Sequence, residues 1–327
     1  MKKNKNKVKK NILIVGAKKS IQYFLKNKRN NFKKANFILV EDTSAKKILD
    51  NISHVEALIN CPRRFFDKNL LSKAKNLKWV HVGGSGVDTF LFSEFINSNI
   101  ILTSGKLLQG PSVADHAIAL LLAISRNLHL HIKKENLKKI KRPIELRGKT
   151  CGILGIGGIG FLVAERLKSF GMKIFGFDEG LVPLSFTVDK FQNSKKLYDF
   201  LPILDVVICC APLTKKTTKL FNDKYFKRMK KDSIFINVSR GKIVDTNSLI
   251  KKSIYSKFRG IGLDVTDPEP LTYSHKLTKI KNIILSNHTA GPSDHNRERS
   301  NKLTIENLER FINNDSLLNV VDKVKGY

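Results

Sequence analysis

Short apolar runs alternate with lysine-rich, helix-like stretches along the first hundred residues. The runs are rich in β-branched and aromatic residues, and they lie at 11–17, 35–41, 56–60, 78–83 and 99–104. Such uniformly apolar strands are typical of parallel sheets, whose two faces are covered by helices. The alternation predicts a βαβ domain with a parallel sheet.

The second part of the chain opens with a long amphipathic segment and then repeats the alternation. Residues 113–134 carry apolar side chains at helical spacing and predict one long helix. The strands predicted after it lie at 151–156, 172–177, 206–211, 233–238, 260–265 and 283–286. Six strands suit a doubly wound parallel sheet. A charged segment at 294–313 predicts a last helix, and the lysine-rich residues 1–10 are expected to be disordered.

A glycine-rich turn joins the first two of these six strands, in the segment CGILGIGGIGFLVAERLKSFGMKIFGFD at 151–178. Gly155 permits a tight turn, Gly157 lets the backbone approach a pyrophosphate, and Gly160 lets the helix pack on the strand. The N-terminus of a helix that starts near Gly158 favours an anion, because its N–H groups are unpaired and its dipole end is positive. The segment therefore predicts a dinucleotide site.

Asp178 closes this segment at the end of its second strand. Its carboxylate can accept hydrogen bonds from the adenosine ribose hydroxyls and would repel a 2′-phosphate. No Arg or Lys stands in the next few residues. The predicted cofactor is therefore NAD, with NADH preferred over NADPH.

A length of 327 residues predicts two domains. The predicted fold class is α/β, with two doubly wound parallel-sheet domains and a cleft between them. Residues 1–112 and 293–327 are assigned to a flavodoxin-like substrate domain, and residues 113–292 to a Rossmann NAD-binding domain. Two crossing helices are expected to hinge them.

The net charge is +32, from 60 Lys and Arg against 28 Asp and Glu, which is typical of nucleic-acid-binding proteins. The lysines are spread along the chain, often beside asparagine, and no aromatic residues alternate with them as a base-stacking platform requires. We interpret the charge as a solvated surface that can attract anionic substrates. A nucleic-acid partner is not expected.

Four cysteines, Cys61, Cys151, Cys209 and Cys210, show no metal-ligand spacing, so no metal is expected and the thiols are interpreted as reduced core residues. The first residues lack a signal-peptide core, and no apolar run is long enough to span a membrane. We therefore expect a cytoplasmic protein.

Arg240, Glu269 and His288 each follow one of the last three predicted strands. Ligands of open α/β sheets bind beyond the carboxyl ends of the strands, so these side chains are expected to meet there. A histidine exchanges protons near neutral pH, a carboxylate on its far ring nitrogen fixes its tautomer, and an arginine fork grips substrate oxygens. Each residue alone has an ordinary explanation, as a loop histidine, a solvated turn acid or a surface ion-pair partner. Together, after a dinucleotide motif, they predict hydride transfer to a small 2-oxo acid.

Over nearly all of its length the chain resembles the D-isomer-specific 2-hydroxyacid dehydrogenase family. The matching motifs are LRGKTCGILGIGGIG, APLTKKTTKLFN, INVSRGKIVD, GLDVTDPEPL and SNHTAG. The resemblance implies that Arg240, Glu269 and His288 are the catalytic trio. It also implies a homodimer formed through the long helix of the cofactor domain.

Further contacts are implied by the same resemblance. HVGGSGVD at 81–88 resembles the loop that binds the substrate carboxylate, so Ser85 and Gly86 join Arg240 and His288 as substrate-binding residues. Successive small residues can form a nest of amides, although an ordinary flexible turn is the alternative. The implied cofactor contacts, besides Gly155, Gly157, Gly160 and Arg240, are Gly158, Ile159, Asp178, Ala211, Val238, Asp264, Ala290 and Gly291. Asp264, expected at the carboxamide, could instead cap a turn.

Three positions depart from the usual pattern of the family. Asn287 stands where a proline usually precedes the histidine, which is expected to leave the backbone at His288 less restrained. Asp115 replaces a more common glutamate near the interdomain helix. Gly158 replaces a polar or basic side chain, so a phosphate contact is expected to be missing.

We therefore expect an NAD-dependent oxidoreductase that interconverts a small 2-oxo acid and its D-2-hydroxy acid, similar to glyoxylate or hydroxypyruvate reductases. One alternative is an NAD-binding regulatory protein similar to corepressors that share the fold and the trio, which the basic charge favours. Another is a formate- or phosphite-type dehydrogenase, whose substrate has no carbonyl to protonate.

Overall fold

The structure, a computed structural model, describes residues 9–17, 30–41, 44–133, 135, 140–180 and 186–327. The chain divides into two compact units, Met1–Leu108 with Asp294–Tyr327, and Gln109–Ser293. The predicted boundaries were 112/113 and 292/293, and the role assigned to each unit stays a prediction at this point. Residues 1–10 were expected to be disordered. Residues 1–8 lie outside the described residues, whereas Lys10 belongs to a strand.

Apolar runs of the sequence form most of the described strands. In chain order the strands are β1 (Lys10–Gly16), β2 (Ala35–Glu41), β3 (Ala57–Ile59), β4 (Trp79–Val82), β5 (Ile101–Ser104), β6 (Thr150–Leu154), β7 (Lys173–Asp178), β8 (Lys190–Asn193), β9 (Val206–Cys209), β10 (Ile234–Asn237), β11 (Gly260–Leu263) and β12 (Ile283–Leu285). The described α-helices are α1 (Ala45–Asn51), α2 (Lys68–Lys73), α3 (Ser93–Ile96), α4 (Gly110–Ser125), α5 (Leu128–Ile132), α6 (Gly158–Ser169), α7 (Leu197–Phe200), α8 (Asp223–Arg228), α9 (Thr246–Leu249), α10 (Lys252–Tyr255) and α11 (Asn296–Asn313).

The first unit is built on a parallel sheet whose described strands run in the order β2-β1-β3-β4-β5. Strand β3 is buried along its whole length, as its uninterrupted apolar sequence predicts. The predicted last helix is confirmed as α11, whose Phe311 ring lies 5.1 Å from the ring of fully buried Trp79. The core of this unit therefore combines strands from the N-terminal part with the C-terminal helix.

The second unit contains a parallel sheet whose described strands run in the order β12-β11-β10-β9-β6-β7-β8. The chain builds outward from β6 to β8 and then returns to build from β9 to β12 in the other direction. The point of reversal lies between β6 and β9, where open α/β sheets bind their ligands. The predicted α/β class with two parallel-sheet domains is thus confirmed.

Two details of the second unit differ from the prediction. Six strands were expected, but the described residues form seven, because Lys190–Asn193 pairs with β7 at the sheet edge. This strand is short and carries Lys, Gln and Asn, so it lacks the apolar signature of its neighbours. The single helix predicted over 113–134 is also wrong: α4 and α5 are separated at Asn127, whose φ of 59° is left-handed.

Candidate active site

The glycine turn after β6 lies at the point where the strand order reverses. Gly155 has φ 88°, and a Cβ there would meet the backbone N of Ala211 at 2.6 Å. A Cβ at Gly160 would overlap the carbonyl oxygen of Gly155. Glycine is therefore required at both positions, one for the turn and the other for close packing of helix on strand.

The N-terminus of α6 fits an anion. Gly157 is its N-cap and offers no side-chain hydrogen bond to the first helical N–H groups, those of Gly158, Ile159 and Gly160. A Cβ built on Gly157 would meet no atom of the described chain within 4 Å, so the backbone is open at this point. These unpaired donors and the open backbone suit a dinucleotide pyrophosphate.

Asp178 ends β7 beside this turn, as the sequence predicted. Its Oδ2 accepts a hydrogen bond from the Ile156 N–H at 2.8 Å, and its Oδ1 accepts one from the Gly180 N–H at 3.1 Å. The carboxylate thus ties the glycine turn to the end of β7. A carboxylate has about four acceptor positions, so it retains capacity for ribose hydroxyls.

The other predicted cofactor residues lie around the same crevice of the second unit. Ala211 and Val238 are 5% exposed and follow β9 and β10, and the Ser239 hydroxyl donates to the Ala211 carbonyl. The Ala290 N–H donates to the carboxylate of Asp264, and the Gly291 carbonyl accepts from the Ser112 hydroxyl at 2.8 Å. Their contacts with a cofactor remain predictions.

Arg240, Glu269 and His288 follow three neighbouring strands, since β10, β11 and β12 are adjacent and parallel. Arg240 is held through its backbone: its carbonyl accepts from Asn237 Nδ2 at 2.9 Å. A Cβ at Gly241 would overlap the Thr266 carbonyl, so the segment after Arg240 lies against the start of the glutamate turn. The sequence did not single out Gly241, because only the distant contact reveals its role.

Glu269 and His288 are brought into direct contact. Glu269 Oε1 lies 2.5 Å from His288 Nδ1, and 49% of the histidine side chain is exposed. An ionised carboxylate only accepts hydrogen bonds, so Nδ1 carries the proton and Nε2 is the ring atom left for exchange with a substrate. This is the geometry that positions a histidine for acid–base chemistry.

Asp264 is 2% exposed and bonded to the histidine turn. Its Oδ1 accepts from the Ser286 hydroxyl at 2.8 Å and from the Thr289 N–H at 2.8 Å, and both oxygens lie 3.2 Å from the Ala290 N. The turn-capping role that the sequence left open is therefore present. Its contact with a cofactor carboxamide stays a prediction.

His116 and Ser286 extend this arrangement, and sequence reasoning missed both. His116 Nε2 lies 2.7 Å from Ser286 Oγ, although the residues are 170 positions apart. A histidine inside an apolar helix and a serine at a strand end were the available signals, but neither indicates the pairing.

Ser85 and Gly86 lie in the other unit, after β4. The Ser85 hydroxyl donates to the Gly105 carbonyl at 3.0 Å, and the Gly105 N–H donates to Gly84 and Val82 carbonyls at 2.9 Å. A Cβ at Gly105 would overlap the Gly83 carbonyl, so this glycine permits the compact loop. The carboxylate-binding role of the loop stays a prediction.

Asp115, one of the departures from the usual pattern, is paired within the second unit. Its Oδ1 accepts from Arg166 Nε at 2.7 Å, and 67% of its side chain is exposed. It therefore joins α4 to α6 at the surface rather than lying beside the predicted catalytic groups.

The described residues contain no group of three or more His, Cys, Asp or Glu side chains arranged to hold a metal. All four cysteines are free, and burial raises the pKa of the Cys61 and Cys209 thiols to about 12. No described helix is both long and apolar enough to cross a membrane.

Comparisons with known proteins agree on one family. The family model for the D-isomer specific 2-hydroxyacid dehydrogenase, NAD binding domain, matches residues 118–290, more than half of the chain. A glyoxylate reductase from Thermococcus litoralis is 33% identical over 290 residues, which cover 84% of this chain and 86% of the relative.

Solved structures show the same fold. A glyoxylate reductase from Paecilomyes thermophila matches with a TM-score of 0.81 at 23% identity, over 97% of this chain and 99% of that chain. A D-lactate dehydrogenase from Aquifex aeolicus, complexed with NAD and lactic acid, matches with a TM-score of 0.76 at 25% identity, over 95% and 99%. Fold, sequence and cofactor-domain model together show that the chain belongs to the D-isomer specific 2-hydroxyacid dehydrogenase family.

Proposed function

We propose that this protein reduces a small 2-oxo acid, of the glyoxylate or hydroxypyruvate type, to its D-2-hydroxy acid with NADH. The observation that carries the proposal is the contact of 2.5 Å between Glu269 Oε1 and His288 Nδ1 at neighbouring strand ends. The similarity to glyoxylate reductases supports the substrate class. An acid–base pair is what reduction of a carbonyl requires and what oxidation of formate does not.

His288 is the proposed general acid. When bound, the reduced nicotinamide supplies the hydride to the carbonyl carbon. His288 Nε2 donates its proton to the carbonyl oxygen, while Glu269 accepts the Nδ1–H and stabilises the imidazolium from which that proton is taken. In the reverse direction neutral His288 takes the proton of the substrate hydroxyl at Nε2.

Arg240 and the loop after β4 are the proposed substrate-binding groups. The guanidinium of Arg240 can form two parallel hydrogen bonds with substrate oxygens, and its position at the end of β10 next to the glutamate turn supports this role. Ser85 and Gly86 would add backbone N–H groups for the substrate carboxylate. Both roles rest on the resemblance to the family.

The glycine turn is the proposed cofactor site. Gly155, Gly157, Gly158, Ile159 and Gly160 would hold the pyrophosphate and pack around it, and Asp178 would accept from the adenosine ribose. The acidic end of β7, where Asp178 is followed by Glu179, supports a preference for NADH over NADPH. Glu179 Oε1 lies 3.0 Å from Lys216 Nζ in an exposed ion pair, so the proposed preference is assigned to the carboxylate of Asp178.

The experiment is a spectrophotometric screen of NADH oxidation with glyoxylate, hydroxypyruvate, pyruvate and bulkier 2-oxo acids. We expect the highest kcat/KM with glyoxylate or hydroxypyruvate, and one hydroxy acid formed for each NADH consumed. Specific DNA binding at physiological salt without turnover of any 2-oxo acid would contradict the proposal and favour the regulatory alternative.

A homodimer in the cytoplasm is the proposed assembly and location. Leu128 and Ile132, on the short helix after α4, are 50% and 81% exposed, which supports a contact between copies there. The four free thiols support a reducing compartment. Light scattering should give twice the chain mass of 37.0 kDa, and a single chain mass at micromolar concentration would contradict the dimer.

A further inference from the structure

The backbone that carries His288 is left-handed at two consecutive residues. Asn287 has φ 50° and His288 has φ 58°. This region is unfavourable for most non-glycine residues, and asparagine is among the side chains that enter it most readily. Such a conformation persists only where the surrounding structure holds it, and it is concentrated at functional sites.

The end of β11 holds this turn from inside. The His288 N–H donates to the Asp264 carbonyl at 2.5 Å, and the Asp264 carboxylate accepts from the Thr289 and Ala290 N–H groups. The N–H groups of His288 and of the two residues after it are therefore all bonded to one buried aspartate. The backbone at His288 was expected to be less restrained without the usual proline, but here hydrogen bonds restrain it.

A second layer holds the aspartate. The Ser286 hydroxyl donates its one proton to Asp264 Oδ1, so towards His116 its oxygen acts as an acceptor. His116 Nε2 therefore carries a proton and donates it to Ser286 Oγ across 2.7 Å. The hydrogen bonds run in one direction, from helix α4 through Ser286 to a carboxylate that is 2% exposed.

A proline at position 287 is incompatible with this geometry. Its ring fixes φ at about −65°, whereas Asn287 has φ 50°. The side chain that replaces the family's proline is thus the one that permits the left-handed step. The direction in which the His288 ring leaves the turn depends on that step, because the two residues are consecutive.

We propose that the buried network of His116, Ser286 and Asp264 positions His288 by holding a left-handed turn that Asn287 makes possible. The inference rests on the proposed function, in which His288 is the general acid. It adds His116 and Ser286, to which no contact with substrate or cofactor is assigned, as positioning residues, and it explains how this chain orients its histidine without a proline.

The first test is a substitution series at position 287. Glycine enters the left-handed region freely, so Asn287→Gly should keep kcat within about threefold of wild type. Asn287→Ala should lower kcat about fivefold to tenfold, because alanine reduces the population of the left-handed turn that orients the His288 ring. Asn287→Pro should lower kcat by at least ~100-fold. The KM for NADH should stay within about twofold throughout, since the glycine turn is unchanged.

Asn314→Ala is the matched control. Asn314 also has a left-handed backbone, with φ 64°, but it ends helix α11 in the other unit. It should lower the Tm as Asn287→Ala does while leaving kcat unchanged. Wild-type kcat in Asn287→Ala, or a loss in Asn287→Gly as large as in Asn287→Pro, would overturn the inference.

A second readout does not need turnover. In protein labelled with 13C-histidine, the ring signals of His288, assigned with His288→Gln, report its contact with Glu269. They should be unchanged in Asn287→Gly and should move towards those of Glu269→Gln in Asn287→Ala and Ser286→Ala. Unchanged signals in the last two variants would refute the positioning network. If wild type reduces no 2-oxo acid, the proposed function fails while these spectra still decide the inference.

Discussion

Two histidines in the molecule, His81 in the first unit and His288 in the second, have opposite surroundings. His81 is fully buried, and its partners are hydroxyls: Thr103 at 2.8 Å from Nδ1 and Thr304 at 3.1 Å from Nε2. Because Thr304 donates to the Ser300 carbonyl, it accepts from His81 Nε2–H, which leaves Nδ1 as an acceptor. Both ring nitrogens of neutral His81 therefore have hydrogen-bond partners.

His288, by contrast, is half exposed and its ring partner is a carboxylate. Nδ1 contacts Glu269, and Nε2 is the atom proposed to exchange a proton with the substrate. The comparison teaches that a histidine next to a strand end is not by itself a catalytic signal. What distinguishes the two regions is the charge of the partner and the access of the second ring nitrogen.

The largest expected effect is on turnover at the exposed histidine. His288→Ala should lower kcat with glyoxylate by at least ~100-fold, because the carbonyl oxygen loses its proton donor. NADH affinity, measured by fluorescence titration, should be nearly retained. Turnover equal to that of wild type would remove His288 from the mechanism and would contradict the proposed functional difference between His288 and His81.

The buried histidine should instead govern stability. Burial lowers the pKa of His81 to about 4 from an ordinary value near 6.5. A group whose pKa falls on folding stabilises the protein above its unfolded pKa, and this stability is lost as pH falls from about 6.5 towards 4. Between pH 7 and pH 5 the loss should be about 2 kcal/mol.

This loss is measured as the free energy of unfolding in urea at the two pH values. His81→Gln should be less stable than wild type at pH 7 but should show a smaller drop between pH 7 and pH 5. His54→Gln, at an exposed histidine of the same unit, is the control and should keep the wild-type drop. An identical drop in His81→Gln would show that His81 does not cause it.

A smaller effect is expected at the ribose end of the glycine turn. Asp178→Ala should change the ratio of kcat/KM for NADH and NADPH about tenfold in favour of NADPH, since the charge that repels a 2′-phosphate is lost. Asp178→Asn keeps an acceptor for the Ile156 N–H, so this variant measures the effect of the negative charge alone. A ratio unaltered in both variants would show that Asp178 does not set the cofactor preference.

The smallest effect is expected at Asp115, a polar residue outside both histidine regions. Its ion pair with Arg166 is largely exposed, and pairs of this kind contribute about 0–1 kcal/mol. Asp115→Asn should therefore shift the Tm by a few degrees at most and leave kcat unchanged. A tenfold loss of turnover would place this residue among the positioning groups.

Most of the strands could be predicted because local apolar patterns along the sequence indicate them. Strand β9 is four buried apolar residues, and the glycine turn has the strand before it and the helix after it. Edge strand β8 was not predicted because three of its four residues are polar and both of its end residues are exposed. The break in the long helix escaped because a left-handed Asn127 leaves no mark in the apolar spacing.

The candidate site divides in the same way. Arg240, Glu269 and His288 could be singled out because each follows a recognisable strand, and the structure brings the last two into contact. His116 and Ser286, which support the histidine turn, could not be singled out, because they are distant in sequence and come into contact only in the folded protein. Asp264 was predicted as a cofactor contact with turn capping as the alternative, and its hydrogen-bond partners in the histidine turn could not be named from the sequence.

The central claim is that Glu269 and His288 act as one unit. A double-mutant cycle on kcat for glyoxylate reduction, with Glu269→Gln, His288→Ala and the double variant, tests it most directly. If the glutamate works only through the histidine, the double variant should be no slower than His288→Ala alone, within about twofold. If the two losses multiply, Glu269 acts independently of His288 and the claim is contradicted.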